Sequence, residues 1–301
     1  MTKTLYIHCD GGFGNRFNSL VAGLQIAEVG KYDPIILWPS TNWCRTTFNT
    51  IFNNNYNVIE QDLSYFADNP DDYSFLMHGQ FDIPDHIRVV HPNGFSSMQQ
   101  VVDFYNQSGK DKLVYNHDSI PPYAGWIEIR KPKTTTQYGV TEEILEVVRR
   151  LKFTEAITSK ADVFLQHYNE EFSGIHLRNT DFYGPDKPKY DELEQMVKDN
   201  PDTHYFICSD DQELEERFTS NANAFAFPKN KYVEKLTDDG HWRANIEGPD
   251  GEEYSFNIER SDESVIEAMV DLLILSRSTI IPTSESTFLK TALLMQFSNA
   301  R

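Results

Sequence analysis

The segment Gly174-Ile175-His176-Leu177-Arg178-Asn179-Thr180-Asp181 ends an apolar run in three ionisable side chains, and Gly184-Pro185 follows soon after. Such a pattern reads as a strand that leaves a buried sheet and delivers its charges to the carboxyl edge, where open α/β sheets bind ligands. Residues two apart in a strand share a face, so His176 and Arg178 point one way and Ile175 and Leu177 the other. The planar fork of an arginine suits a phosphate or pyrophosphate, to which it donates two parallel hydrogen bonds. A buried Arg–Asp pair, with His176 a satisfied core residue, is the alternative for this motif taken alone.

Three further clusters carry similar chemistry. Asp10-Gly11-Gly12-Phe13-Gly14-Asn15-Arg16 lies between a strand and a helix, where glycines permit a tight turn and the helix start offers free N–H groups to an anion. It lacks the GK[ST] ending of a Walker A loop, and its glycines at 11, 12 and 14 do not fit GxGxxG, so a plain tight turn is the competing reading. Thr283-Ser284-Glu285-Ser286-Thr287 also ends a strand and opens a helix, either as an anion site or as a helix cap formed by Ser286 or Thr287. Ser209-Asp210-Asp211 has the same two readings, and a metal site at its adjacent carboxylates is a third. The expected strands 173–178, 205–208 and 279–282 thus each end in anion-compatible residues.

The elements around these clusters alternate. A strand at 4–9, a helix ending near Gly30 and the apolar run Pro34–Trp38 make a βαβ start, which implies a parallel sheet. Residues 53–125 are rich in Asn, Asp, Tyr and Pro, and their elements cannot be ordered from sequence. Helices are expected at Glu142–Lys152 and Glu155–His167. Beyond the strand at 173–178 come helices near 190–199 and at Gln212–Ser220, with strands at 205–208 and 224–227. An excursion at 229–258 bears turn signals and His241, Trp242 and Arg243, either an exposed hairpin or an acceptor contact. Helix Glu263–Ser276, strand Thr279–Pro282 and helix Phe288–Phe297 complete the chain. The expectation is two α/β lobes, 1–150 and 151–301. Trp43 is read as packing, with sugar stacking the alternative.

At 301 residues, 39% of them hydrophobic, the chain can bury a large core. Its net charge of -19 argues against a general nucleic-acid or anionic-membrane binder but allows a local basic pocket. Cys9, Cys44 and Cys208 have neither zinc nor disulfide-framework spacing and are expected as buried thiols in a reducing compartment. The first residues read as a strand rather than a signal peptide, and no apolar run approaches the ~20 residues of a membrane span. A soluble intracellular protein is the expectation.

Four blocks, in order, resemble the fucosyltransferase superfamily that includes the protein O-fucosyltransferases, the nodulation-type α1,6-fucosyltransferases and the α1,2 enzymes. Asp10–Arg16 looks like its glycine-rich loop and His176-Leu-Arg178-Asn-Thr-Asp181 like its HxRxxD signature. Tyr205–Asp211 is similar to its strand ending in a Ser/Thr-Asp pair, and Val270-Asp271-Leu272, running on to Ser284–Phe288, to its VDL…SSF block. The resemblance covers about the first 50 residues and 170–295. It implies a GT-B-like α/β fold of two Rossmann-type lobes with mainly parallel sheets facing across a cleft. It also implies inverting, metal-independent transfer of fucose from GDP-fucose to a glycan or glycoconjugate acceptor, without a cofactor. Carried over, Arg178 binds the β-phosphate and stabilises departing GDP, and His176 supports the nucleotide. Asp210 or Asp271 meets guanine or ribose. Ser286, Thr287 and Phe288 line pyrophosphate and fucose, and Gly12, Phe13, Gly14 and Asn15 close over the donor. Gly11, Arg16, Asp181, Ser209 and Ser284 belong to the same donor site. Asp10 is the candidate general base and Asp181 the second. The same fold with another nucleotide-sugar donor, and a non-catalytic nucleotide- or sugar-binding protein, are the alternatives.

Overall fold

Short apolar runs bounded by turn residues become the strands of two parallel sheets. A computed structural model describes residues 2–66, 68–77, 89–91, 94–117, 127–130, 135–138, 140–168, 171–180, 190–238, 241–248, 251, 253–254, 256–284 and 286–299. The first sheet grows from β1 (Thr4–His8), α1 (Phe13–Gly30), β2 (Asp33–Leu37), α2 (Phe48–Ile51), β3 (Asn57–Ile59), β4 (Tyr73–Met77), β5 (Val89–Val90), α3 (Met98–Gln107) and β6 (Lys112–Asn116). Its strand order is β3-β2-β1-β6-β4-β5, all parallel. An antiparallel pair, β7 (Ile127–Arg130) with β8 (Thr135–Tyr138), precedes the helices α4 (Glu142–Arg150) and α5 (Glu155–Gln166).

The second sheet follows through β9 (Phe172–Leu177), α6 (Tyr190–Asp199), β10 (His204–Ser209), α7 (Gln212–Thr219) and β11 (Ala224–Phe225). A small antiparallel pair, β12 (Ile246–Glu247) and β13 (Glu253–Tyr254), falls within the expected excursion. Then come α8 (Asp262–Leu275), β14 (Thr279–Ile281) and α9 (Thr287–Asn299). Its order is β11-β10-β9-β14, again all parallel. In each sheet the strand direction of growth reverses beside one central strand, β1 in the first and β9 in the second. Carboxyl ends at such reversals are where open sheets leave a crevice for ligand. The glycine loop follows β1 and Arg178 follows β9, so the topology places both blocks at these two points.

The elements pack in two layers around each sheet. Ile175 and Leu177 of β9 pack with Leu193 and Val197 of α6 and with Leu214 and Phe218 of α7. The main core runs without a break from Leu5 and Ile7 of β1 through α1 to Phe206 of β10 and Leu289 of α9. Helix α1 is buried over most of the span Phe13–Ala27, with polar Arg16, Asn18, Ser19 and Gln25 buried among its apolar residues. Helix α9 crosses back from the second sheet to pack on α1 and α4. The three cysteines are buried and free, Cys9 and Cys208 in the apolar runs that suggested it. Among the described residues, no helix is long and apolar enough to cross a membrane.

His8, at the end of β1, is buried, and burial pushes its imidazole down from 6.5 to about 4. The unfolded chain then binds more protons than the native one between these values. The contribution of a neutral His8 is therefore full above about pH 6.5 and is lost as pH falls toward 4. Replacing His8 by Gln should remove roughly 3 kcal/mol of the acid sensitivity of unfolding. Denaturant titrations of both proteins near neutral pH and near the lower limit would show it, and equal acid responses would exclude His8 as the source.

Candidate active site

A cavity of about 490 Å³ opens where the loop after β1 faces the carboxyl ends of β9 and β10 and the start of α9. The glycine loop forms one wall. Gly11 has φ +76°, a left-handed conformation suited to glycine, and its N–H donates to Asp10 Oδ1 at 2.6 Å. Helix α1 begins with Gly12 at its cap and no side-chain cap, and its first turn holds no acidic residue. Its partial positive end lies at the cavity wall, and the carboxylate of the loop itself, Asp10, is engaged on the Gly11 N–H. A Cβ added to Gly14 would lie 2.7 Å from the Thr287 carbonyl carbon and 2.8 Å from the Phe288 nitrogen. Two blocks separated by most of the chain therefore meet backbone to backbone.

The opposite wall is built on β9. The strand ends at Leu177, one residue earlier than the sequence suggests, and Arg178 is the first residue beyond it. The Arg178 carbonyl accepts from the Tyr190 hydroxyl, which fixes the backbone while the side chain lines the cavity. Asp210 and Asp211 hold the rest of this turn. Asp210 Oδ1 accepts from the Asn179 N–H at 2.8 Å, and its Oδ2 accepts from the Thr180 hydroxyl at 2.6 Å. Asp211 Oδ2 accepts from Asn179 Nδ2 at 2.5 Å, and its Oδ1 caps α7 through the Leu214 N–H. The adjacent carboxylates, which sequence left open to a metal, thus organise the turn that carries Arg178. The Ser209 hydroxyl donates to the Leu177 carbonyl at 2.8 Å and ties β10 to the same place.

His176 lies one register step before this turn and is buried. Its ring stacks on Phe288 with centroids 4.9 Å apart and planes 25° apart, and Nδ1 lies 3.3 Å from the Ser286 hydroxyl oxygen. Ser286 also accepts from the Leu289 N–H at 3.1 Å and so caps α9, the alternative noted for that residue. His176, Ser286, Thr287 and Phe288 all line the cavity.

Other expected site residues are elsewhere. Arg16 is wholly buried and does not reach the cavity. Its guanidinium donates to the carbonyls of Gly11 and Pro39, at 2.7 Å each, and to the Thr41 hydroxyl at 3.0 Å, while lying over the Trp38 ring. It braces the glycine loop from behind, because a buried cation needs its donors matched. Replacing Arg16 by Met should cost about 3 kcal/mol in unfolding free energy, since Gly11 and Pro39 lose partners in a dry site. Chemical denaturation would measure this, and a loss below about 1 kcal/mol would contradict the bracing role. Asp10 sits just outside the wall, which begins at Gly11, and Ser284 is likewise not part of it. Ser284 instead accepts from the Ser286 N–H at 3.4 Å, within the turn that leads to α9. Asp181 lies outside the described residues.

Several lining residues were not foreseen. Among the described residues, the wall carries Arg178, Lys229, Lys231, Arg243 and Arg260 against Asp210 and Asp271. A chain of net charge -19 has thus gathered a cationic pocket. Lys229 follows β11, so a fourth strand end also delivers a charged group to the site. Its ammonium donates to the Ser209 carbonyl at 3.0 Å, to Glu215 at 2.5 Å and to Asp271 at 2.6 Å. Burial alone would push that ammonium down, but Asp271 and Glu215 offset this and hold it above its ordinary value. Burial raises the Asp271 carboxyl to about 7 even with Lys229 beside it.

The excursion from Lys229 to Arg260 is a strap and not a free hairpin. Its first end is held by the Lys229 cluster in the second lobe. At its far end the Arg260 N–H donates to the Asn42 carbonyl at 2.9 Å, and Asn42 Nδ2 donates to the Ile258 carbonyl at 3.0 Å. Arg45 pairs with Glu259 at 2.9 Å. Trp43 packs edge-on against Phe256 at 4.8 Å beneath the Arg260 guanidinium, and it also lines the cavity.

The fold as a whole is shared with solved structures at low sequence identity. The fucosyltransferase NodZ from Bradyrhizobium superposes with a TM-score of 0.56 at 15% identity, covering 98% of this chain and 94% of that one. NodZ alpha-1,6-fucosyltransferase soaked with GDP-fucose gives 0.53 at 14%, covering 98% and 93%. POFUT1 in complex with GDP gives 0.50 at 13%, covering 99% and 97%. No protein-family model and no curated protein sequence matches the chain. The likeness shows the fold, α/β and GT-B-like with mainly parallel sheets, as the four blocks implied.

Proposed function

We propose that the chain is an inverting, metal-independent glycosyltransferase that moves fucose from GDP-fucose to a glycan acceptor. The observation that carries this reading is the placement of Arg178 and the uncapped start of α1 on facing walls of one cationic cavity. In such a transfer the acceptor oxygen bonds to the anomeric carbon as the bond from that carbon to the diphosphate oxygen breaks. Negative charge grows on the departing diphosphate, where a fixed guanidinium and helix N–H groups stabilise it. These protein groups supply the charge that a divalent ion supplies in other transferases. His176, stacked on Phe288, supports the nucleotide, and Thr287 and Phe288 face the sugar. Asp10, at the rim beside Gly11, takes the acceptor proton.

Calorimetry with GDP and GDP-fucose, followed by mass detection of released GDP in the presence of glycan acceptors, tests the reading. Binding in the micromolar range with turnover that survives EDTA is expected. Tighter binding of another nucleotide sugar would reassign the donor, and binding without any GDP release would leave a non-catalytic binding protein. Unchanged turnover in Asp10→Asn would remove Asp10 as the base.

A further inference from the structure

The strap lines the cavity with two arginines, Arg243 and Arg260, that are held unlike the other cations of the wall. Lys229 is enclosed by Glu215 and Asp271, and Lys231 pairs with Glu234 at 2.5 Å. Arg243 and Arg260 instead lie over aromatic rings, each 5.3 Å from a centroid, that of Phe256 for the first and that of Trp43 for the second. Trp43 and Phe256 meet edge to face at 4.8 Å, so the four side chains form one stack: cation, ring, ring, cation. Stacking occupies the face of a guanidinium, whereas its N–H groups donate in its own plane. The stack therefore fixes the plane in which each arginine donates. The strap beneath it is braced as well. The side chain of the buried Asn257 exchanges hydrogen bonds of 2.9 Å with the backbone of Thr237, and its N–H donates to the Trp242 carbonyl at 3.0 Å.

The stack also stands on a particular side of the cleft. β1 and β2 run in register to His8 and Leu37, so the loops that follow them are neighbours. Arg16 bonds to both loops, through the Gly11 carbonyl and through Pro39 and Thr41. Trp43 belongs to the second of these loops. The stack thus shares a side with Asp10, the base that meets the acceptor in the reading above, while Arg178 and His176 meet the donor from β9.

We propose that Trp43, Arg243 and Arg260 form an acceptor subsite for an anionic glycan, one that carries a carboxylate or phosphate beside the accepting hydroxyl. This rests on the sugar-transfer reading and adds the class of acceptor to it. Charge balance favours it. A chain of net charge -19 repels an acidic glycan at long range, so such a substrate needs local cations where it docks. The diphosphate of the donor is met by Arg178 and the start of α1 on their own walls. Two guanidiniums locked in plane suit two-pronged hydrogen bonding to a carboxylate or phosphate. The half-buried Trp43 supplies apolar surface for the sugar ring that bears the charge.

The test is a ligand-observed NMR titration of the whole chain saturated with GDP, which fills the donor site. Methyl glucuronide, methyl galacturonide and glucose 6-phosphate are compared with methyl glucoside and methyl galactoside. At least one anionic sugar should bind about 10-fold or more tighter than its neutral counterpart, and the carboxylate and phosphate arms show which anion is taken. Arg243→Gln and Arg260→Gln should each lower that preference about fivefold or more while GDP affinity stays near wild type. A wild-type chain without the preference overturns the proposal, whether the sugars bind equally or not at all. Folded arginine variants that lose GDP affinity in parallel also overturn it, because the guanidiniums then serve the donor. If neither glutamine variant folds, Arg243→Lys, which keeps the charge without the planar fork, decides: a reduced preference supports the proposal and a wild-type preference overturns it. A chain that does not bind GDP refutes the donor reading, whereas one that binds GDP without preferring an anionic sugar refutes only the acceptor class.

Discussion

Arg178→Ala should lower kcat/KM for sugar transfer by about 10³-fold without unfolding the protein. The expectation follows from where the residue lies. Its backbone is held independently of its side chain, by the Tyr190 hydroxyl on the Arg178 carbonyl and by Asp210 on the two N–H groups that follow. Truncation beyond Cβ therefore leaves the turn in place and removes only the guanidinium from the cavity. The loss should fall mainly on kcat, because the charge it meets is greatest as the diphosphate departs. Arg178→Lys keeps the charge but not the planar fork, and should recover only part of the rate. Steady-state GDP release, with a thermal melt as the check on folding, measures both. Activity within a few-fold of wild type in the alanine variant would take Arg178 out of the chemistry.

Gly14→Ala should both destabilise the protein and weaken donor binding, although helix propensity predicts the reverse. Gly14 is the second residue of α1, and alanine there would favour a helix by about 1 kcal/mol. Against this, the added methyl meets the backbone of Thr287 and Phe288 at 2.7–2.8 Å, and backbone at a helix start cannot step aside as a flexible side chain can. Overpacking of this kind costs about 1–3 kcal/mol, so the clash wins. The displacement separates the glycine loop from the residues that stack on His176, and GDP affinity should fall about 10-fold or more. Gly12→Ala is the internal control. Its Cβ meets nothing within 4 Å among the described residues, and its φ of -70° is open to any residue. Melting curves and calorimetry on the two variants decide the matter; equal behaviour would mean that the contact with α9 is not what requires glycine at position 14.

The second sheet was legible because each of its strands is an apolar run cut off by a polar cluster, and that same cut marks the ligand edge. His176 and Arg178 were read from alternation and both line the cavity, with the strand end misplaced by one residue. The middle of the first lobe was not legible. Its strands β4 and β6 carry polar Ser74, Lys112 and Asn116 within five residues each, and β5 is only two residues long, so neither alternation nor length stands out. Arg16 was misread for a different reason. A guanidinium that serves backbone carbonyls and one that serves a ligand look identical in sequence, and only burial separates them. Lys229 was passed over because its partners are remote: Glu215 lies 14 residues away and Asp271 42 residues away, and no local pattern joins them.

The strap from Lys229 to Arg260 has a mechanical consequence. Many two-lobed proteins swing open about a hinge to admit a ligand and shut upon it. Here one end of the strap is riveted to the second lobe by Lys229, and the other is laced to Asn42 and Arg45 of the first. Together with α9, which crosses back onto α1, it makes a second span between the lobes. Any widening of the cleft has to break the strap's contacts with Asn42 and Arg45 as well as the packing of α9 on α1.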